Sequence, residues 1–423
     1  MSGQFAGTAQ LIKEKCPNAH YVHCLAHCVN LAAGDACKGS VLIRDAVDFT
    51  HKLVGYIRVS GRRRDLFQSI QDDSEITTNT NAPMRSALRP LCPTRWTVRG
   101  ESLRSVLLNY SILLATLQEL CIANDITGEA RITAKGLLTY LNNADTYFKI
   151  LSSERIFIIS DSLATQLQKV SINISDALRY KSAICEDLRM LRDQFDQMFE
   201  RTERATQELD LSPLELPRAR KIPRRIDDGT EAFNPPDLKT HYRLMFIEAV
   251  ELIFNAIDSR INNESLAPAL CIETLIETSL KTAPASNDLF QTVSKYHPSI
   301  DIDRLQSELF PSIPTDAESL PSLISWFQSS QTRQTAYSET FKTLSLFSVI
   351  PVTTATCERS FSCLRRLKNY LRSTIGQERL NSVLLCAIHT DLVDGLNLEE
   401  LANDFIEIND ARLKYYGRFK HNI

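Results

Sequence analysis

The stretch Ile350-Pro351-Val352-Thr353-Thr354-Ala355-Thr356-Cys357-Glu358-Arg359-Ser360-Phe361-Ser362 passes from turn residues into a helix start, and the reading of the chain works outward from it. Phe361, Leu364, Leu367 and Leu371 follow at helical spacing as an apolar stripe. Arg359, Arg365, Arg366, Lys368 and Arg372 make the rest of that helix strongly basic. Glu358 falls near the helix start, where a carboxylate gains from the dipole, and taken alone it needs no further role. A second helix is expected over Gln377 to Leu392, with Leu380, Val383, Leu384 and Ala387 on its apolar face.

Toward the N-terminus the pattern stays helical. Stripes run through Val41 to Arg58, Ser102 to Leu120, Ala134 to Leu151, His241 to Ile261 and Leu323 to Phe347. Leu163, Leu167, Val170, Ile174, Ala177, Lys181, Ile184, Leu188, Leu191, Phe195 and Met198 alternate spacings of four and three. That is a heptad seam, read either as a coiled coil between chains or as one long helix packed inside an all-α domain. Asp72 to Asn81, rich in Thr and Asn, reads as a loop. Leu211 to Pro236, with five prolines and the basic run Arg218 to Arg225, reads as an exposed linker, a solvated loop or a nuclear-localisation signal. The chain opens with a short helix over Ala6 to Lys15, a short strand over Ala19 to His23 and a helix from Cys24 to Cys37, as if entered midway through an α/β unit.

Composition narrows the class. At ~100–200 residues per domain, 423 residues make two or three domains. The 48 Lys+Arg against 51 Asp+Glu leave a net charge of -3, so nucleic-acid contact would need local basic patches. A hydrophobic content of 43% with few Gly and Pro describes a helix-rich globular chain, and no apolar run reaches the ~18–20 residues of a membrane span. No signal peptide is visible in Met1 to Lys15, so the 11 Cys are read first as thiols or metal ligands in a reducing compartment.

Two further islands carry chemistry. In His20-x2-His23-Cys24-x2-His27-Cys28, spacings of four set His23 with His27 and Cys24 with Cys28, one helical turn apart. Such a set reads either as a zinc site, lacking an evident second pair of ligands, or as a buried Cys/His packing motif. Cys92-Pro93-Thr94-Arg95-Trp96, beside Arg99 and Arg104, offers a stacking face and phosphate partners suited to unpaired DNA; the plainer reading is a core aromatic with a neighbouring Arg.

In their order, Cys24 and His27, then Arg95 and Trp96, then Cys357-Glu358-Arg359-Ser360-Phe361-Ser362 resemble the hAT superfamily of DNA transposases and their domesticated relatives. Within it the similarity is to the zinc finger MYM-type and THAP-containing repressor-of-the-inhibitor-of-protein-kinase group. The resemblance implies a mostly α chain: an N-terminally truncated RNase H-like α/β fold interrupted by a large all-helical insertion and ending in dimerisation helices. The implied domains are 1–100 (RNase H-like remnant), 101–340 (all-α insertion) and 341–423 (last RNase H-like helix and dimerisation region).

The family's chemistry is DDE-type strand transfer, with three carboxylates holding two divalent ions, Mg or Mn. Glu358 matches the third acid. Arg359 joins Arg95 and Trp96 as DNA-contacting residues, Cys24 and His27 form the structural motif, and Phe361, Leu364, Leu380, Val383 and Leu384 mark the dimerisation surface. The family's two aspartates precede the position matched by Met1, so no resident cofactor or metal is expected of the chain as it stands. The leading expectation is therefore a transposase-derived, nuclear protein that forms homodimers or hetero-oligomers with relatives, with residual DNA contact and no membrane association. The alternatives are an incomplete gene model of an active transposase, and a zinc-binding regulatory module.

Overall fold

Residues 7–17, 19, 21–77, 87–91, 98–169, 172–218, 235–281, 285–312, 314, 320–350, 352–369 and 374–418 are described in the computed structural model. Helix dominates because the apolar spacing is helical and short polar residues start helix after helix. The first run comprises α1 (Thr8–Lys15), α2 (Leu25–Gly39), α3 (Val41–Val59), α4 (Gly61–Thr77), α5 (Arg99–Leu108), α6 (Tyr110–Ile122), α7 (Gly128–Leu141), α8 (Ala144–Gln166), α9 (Ile174–Arg192), α10 (Phe195–Glu208) and α11 (Leu238–Arg260). Asn143, Asn173 and Asp237 cap α8, α9 and α11 by accepting backbone N–H groups at 2.7–2.8 Å, each worth ~1 kcal/mol.

The core is built around α8, which is buried along most of its length, polar residues such as Ser152, Ser153, Ser160 and Asp161 included. Phe148 meets Tyr242 of α11 and Phe195 of α10 edge-on, with ring centroids 5.0 and 6.3 Å apart. Helix α5 comes so close that a Cβ added to Gly100 would stand 2.9 Å from the backbone nitrogen of Ile158. A second cluster gathers Ile272, Leu275, Phe290, Val293, Leu305, Leu323, Phe327 and Leu344 from α12 (Asn263–Leu280), α13 (Asn287–Tyr296), α14 (Ile302–Ser312), α15 (Leu320–Gln328) and α17 (Ser338–Ser348), with α16 (Gln331–Ala336) lying between the last two in the chain.

Three buried carboxylates tie helix starts to distant helices. Asp161 of α8 accepts the Gly100 N–H of α5 at 2.9 Å. Glu273 of α12 accepts the Ile174 and Ser175 N–H groups of α9, one on each oxygen, at 2.7 Å. Glu308 of α14 accepts the Glu339 and Thr340 N–H groups of α17 at 2.8 and 3.1 Å, while Arg304 Nε holds its other oxygen at 2.6 Å. Each acid thus meets orphan donors and the positive end of a helix dipole.

The chain divides into two compact units, Met1–Thr353 and Thr354–Ile423. The second holds α18 (Ala355–Leu367), α19 (Gln377–Ile388), α20 (Thr390–Asp394), α21 (Leu398–Glu407) and α22 (Asp410–Tyr416). Its described core is small: Cys363, Leu380 and Ile406 are buried, and the Cys363 thiol lies 3.7 Å from the Ala387 carbonyl oxygen.

Several expectations need correction. No strand forms over Ala19 and Tyr21–His23, and the one strand-type pairing among the described residues is an isolated bridge between Asn143 and Ser212. With no neighbouring strand to pair with, this segment simply leads into α2, whose Leu25 N–H donates to the Val352 carbonyl at 3.2 Å. No sheet forms among the described residues, so the α/β part of the expected fold has no counterpart there. The heptad seam is not one helix: it is divided among α8, α9 and α10, with Asn173 starting α9 and a turn at Asp193–Gln194. The stripe over Ser102 to Leu120 bends by 71° at Asn109, whose side chain donates to the Ser105 carbonyl and accepts from Gln71. Helix α4 runs through Asp72 to Thr77, where a loop is expected, and 78–81 lie outside the described residues. Among the described residues no single helix is long and apolar enough to cross a membrane.

Candidate functional site

Helix α18 carries Glu358 in its first turn; the Glu358 side chain lies outside the described set. The face that packs inward carries Cys363, which meets α19. Phe361, two residues earlier and therefore about 200° round the helix, is 69% exposed. Leu364 and Leu367 are half-buried at the boundary, and Leu371 is outside the described residues. The basic residues Arg359, Arg365 and Arg366 of the same helix, and its C-cap Lys368, are exposed.

On α19 the expected stripe divides. Leu380 is buried within its own unit, Val383, Leu384 and Ala387 are half-buried, and Leu385 is exposed. Of the five side chains assigned to association, Leu380 therefore serves the unit's own packing, while Phe361 faces solvent most fully. Many apolar side chains of α20 to α22 also point outward, a feature that spacing alone did not single out. Leu392, Leu398, Leu401, Phe405, Ile408, Tyr415 and Tyr416 are all exposed.

The Cys/His island opens α2. Cys24 is its buried N-cap residue, and the His23 and His27 rings lie 5.2 Å apart, tilted by 36°. Burial, then the nearby His27 and Arg260, lower the His23 pKa. Burial, then Cys24, pushes the Cys28 thiol up to about 11. Among the described residues no three of His, Cys, Asp and Glu converge on a point that could hold a metal ion. Neither the zinc reading nor the two-ion centre implied by the resemblance is assembled from them.

Arg95 and Trp96 lie outside the described residues. Just beyond them, Arg99 donates to Asn30 Oδ1 at 2.8 Å and sits 5.9 Å from the centroid of the Phe157 ring, fixing the start of α5 against α2 and α8. The Leu25–Val352 hydrogen bond joins the start of α2, beside Cys24, to the lead-in of the 350–362 stretch. Residues some 330 positions apart are thereby neighbours.

A cleft of about 930 Å³ between α3, α7 and α8 was missed by sequence reasoning; Phe49, Tyr56, Tyr140 and Lys149 are among its lining residues. Lys149 Nζ pairs with Asp145 at 2.8 Å and Asp45 at 3.1 Å, and the Tyr242 hydroxyl donates to Asp145 at 3.1 Å. Burial opposes the Lys149 charge, yet the two aspartates raise its pKa above the ordinary value. The group is an ion-paired tie between helices, and no metal-binding set is found there among the described residues.

No solved structure matches the chain. Residues 301–392, from just before α14 into α20, match the family model described as the hAT family C-terminal dimerisation region. This match supports membership of the hAT family and a transposase-related role in dimerisation.

Proposed function

We propose that the protein is a transposase-derived self-associating protein whose C-terminal helices bring copies together. The observation that carries the reading is the match of residues 301–392 to a dimerisation region. Phe361, Leu364, Val383 and Leu384 supply its apolar contact surface, beside the buried Leu380. The exposed basic residues of α18, Arg359 among them, support a residual, salt-sensitive DNA contact, to which Arg95 and Trp96 belong by resemblance. The RNase H-like remnant in 1–100, the kinship to the MYM-type and THAP-containing group and the nuclear location rest on that resemblance.

The test is co-purification of two differently tagged full-length copies expressed together. Wild type should carry both tags through one affinity step. Phe361→Glu, a change at an exposed site, should reduce recovery of the second tag roughly tenfold or more while circular dichroism stays that of wild type. Absence of the second tag from wild type at micromolar protein would overturn the reading.

A further inference from the structure

The hairpin of α21 and α22 lies beyond residue 392, outside the matched dimerisation segment, yet in the same compact unit as α18 and α19. Its apolar side chains are arranged for a helical partner. Leu398, Leu401, Phe405 and Ile408 recur at spacings of three, four and three, the period of a helix–helix seam, and all face solvent, Phe405 at 53% and Ile408 at 76% exposure. Tyr415, at 83%, extends the surface onto α22. The hairpin itself is held: Asn397 and Asn409 cap its two helices, and Arg412 donates to the Phe405 carbonyl at 3.2 Å while lying 4.0 Å over the Phe405 ring. An ordered surface of this kind, wholly apolar along one line, gains from burial against another copy.

Charge selects the occupant. Helix α21 is acidic, with Glu399, Glu400, Asp404 and Glu407; α22 and the residue after its cap are mainly basic, with Arg412, Lys414 and Arg418 beside Asp410. Glu407 and Arg418 already meet at 2.8 Å within the chain, which shows that the two halves attract. A two-fold interface must be complementary to itself, so that residue i meets j and j meets i. Acidic α21 packed on its own copy would set like charges face to face. Acidic α21 packed on the copy's mainly basic α22 sets carboxylates against Arg412, Lys414 and Arg418, with Asp410 the one acidic residue on that side, and does so twice over.

We propose that the α21–α22 hairpin is a homotypic docking surface, filled by the same hairpin of a second copy with α21 crossing α22. This rests on the self-association proposed above and locates it outside the segment the family match covers.

The experiment is light scattering on the full chain across a concentration series, at low and high salt. Wild type should be a dimer, and Phe405→Glu and Ile408→Glu, both at exposed positions, should weaken dimerisation roughly 30-fold or more with unchanged helicity. Glu400→Lys should weaken it less and mainly at low salt, and adding Lys414→Glu to the same chain should restore the dimer. A wild-type dimer that survives Phe405→Glu and Ile408→Glu overturns the hairpin interface and leaves the proposed function standing. Failure of the double charge exchange to restore the dimer overturns the crossed arrangement. A wild type that is monomeric throughout removes the proposed function itself.

Discussion

Gly100 has no room for a side chain, because α5 lies against the backbone of α8 at Ile158. Gly100→Ala should therefore cost roughly 1–3 kcal/mol through overpacking, read as a lower urea midpoint at unchanged slope. Asp161, which accepts the Gly100 N–H, adds a pH signature: burial pushes its pKa up to about 6 from an ordinary 3.8, against the pull of that hydrogen bond and of Arg99. The folded chain holds this proton more tightly than the unfolded one. The resulting stability is complete below about pH 4 and is lost as pH rises through about 6. Asp161→Asn keeps an acceptor for Gly100 and removes the charge. Its stability relative to wild type should rise by roughly 1–3 kcal/mol between pH 4 and pH 7.5, and a difference that stays flat with pH would contradict the assignment. An aspartate in a run of apolar residues was a signal available in the sequence; its partner 61 positions away was not.

Among the elements, the same device recurs where helix starts would otherwise leave donors unmet. Removing Glu273 strands the Ile174 and Ser175 N–H groups at the head of α9. Glu273→Ala should lower stability by roughly 2–4 kcal/mol and Glu273→Gln by clearly less, since an amide still offers one acceptor; thermal unfolding of the two variants tests the order. The helical character of nearly every segment was legible from apolar periodicity. The breaks at Asn109, at Asn142–Asn143 and between α9 and α10 were not, because apolar positions continue in phase across them while polar side chains redirect the backbone. The expected strand over Ala19 to His23 failed for a related reason: alternation alone makes no strand without a neighbour to pair with.

For the molecule as a whole, the larger unit builds extensive apolar cores, whereas the described part of the smaller one buries only a few apolar side chains. Residues 354–423 bury Cys363, Leu380 and Ile406 while exposing Phe361, Leu385, Leu392 and the apolar line of α21. Spacing identified Phe361, Leu380 and Leu384 as apolar positions, but it specifies which residues share a face, not whether that face meets its own chain or another. That is why Leu380 belongs to the interior and Phe361 to the surface. The ordered motifs made the hAT resemblance legible; the inter-helix carboxylates and the outward face of α21–α22 needed the fold. Because acidic and basic helices share the smaller unit, raising salt should weaken association only in part, since the apolar contacts persist when the charges are screened.

The most direct test is the mass of the full-length wild-type protein in solution, measured by light scattering from nanomolar to tens of micromolar concentration. The account predicts a concentration-dependent passage from one chain mass to two, complete by low micromolar protein. A single chain mass across the whole range would contradict it.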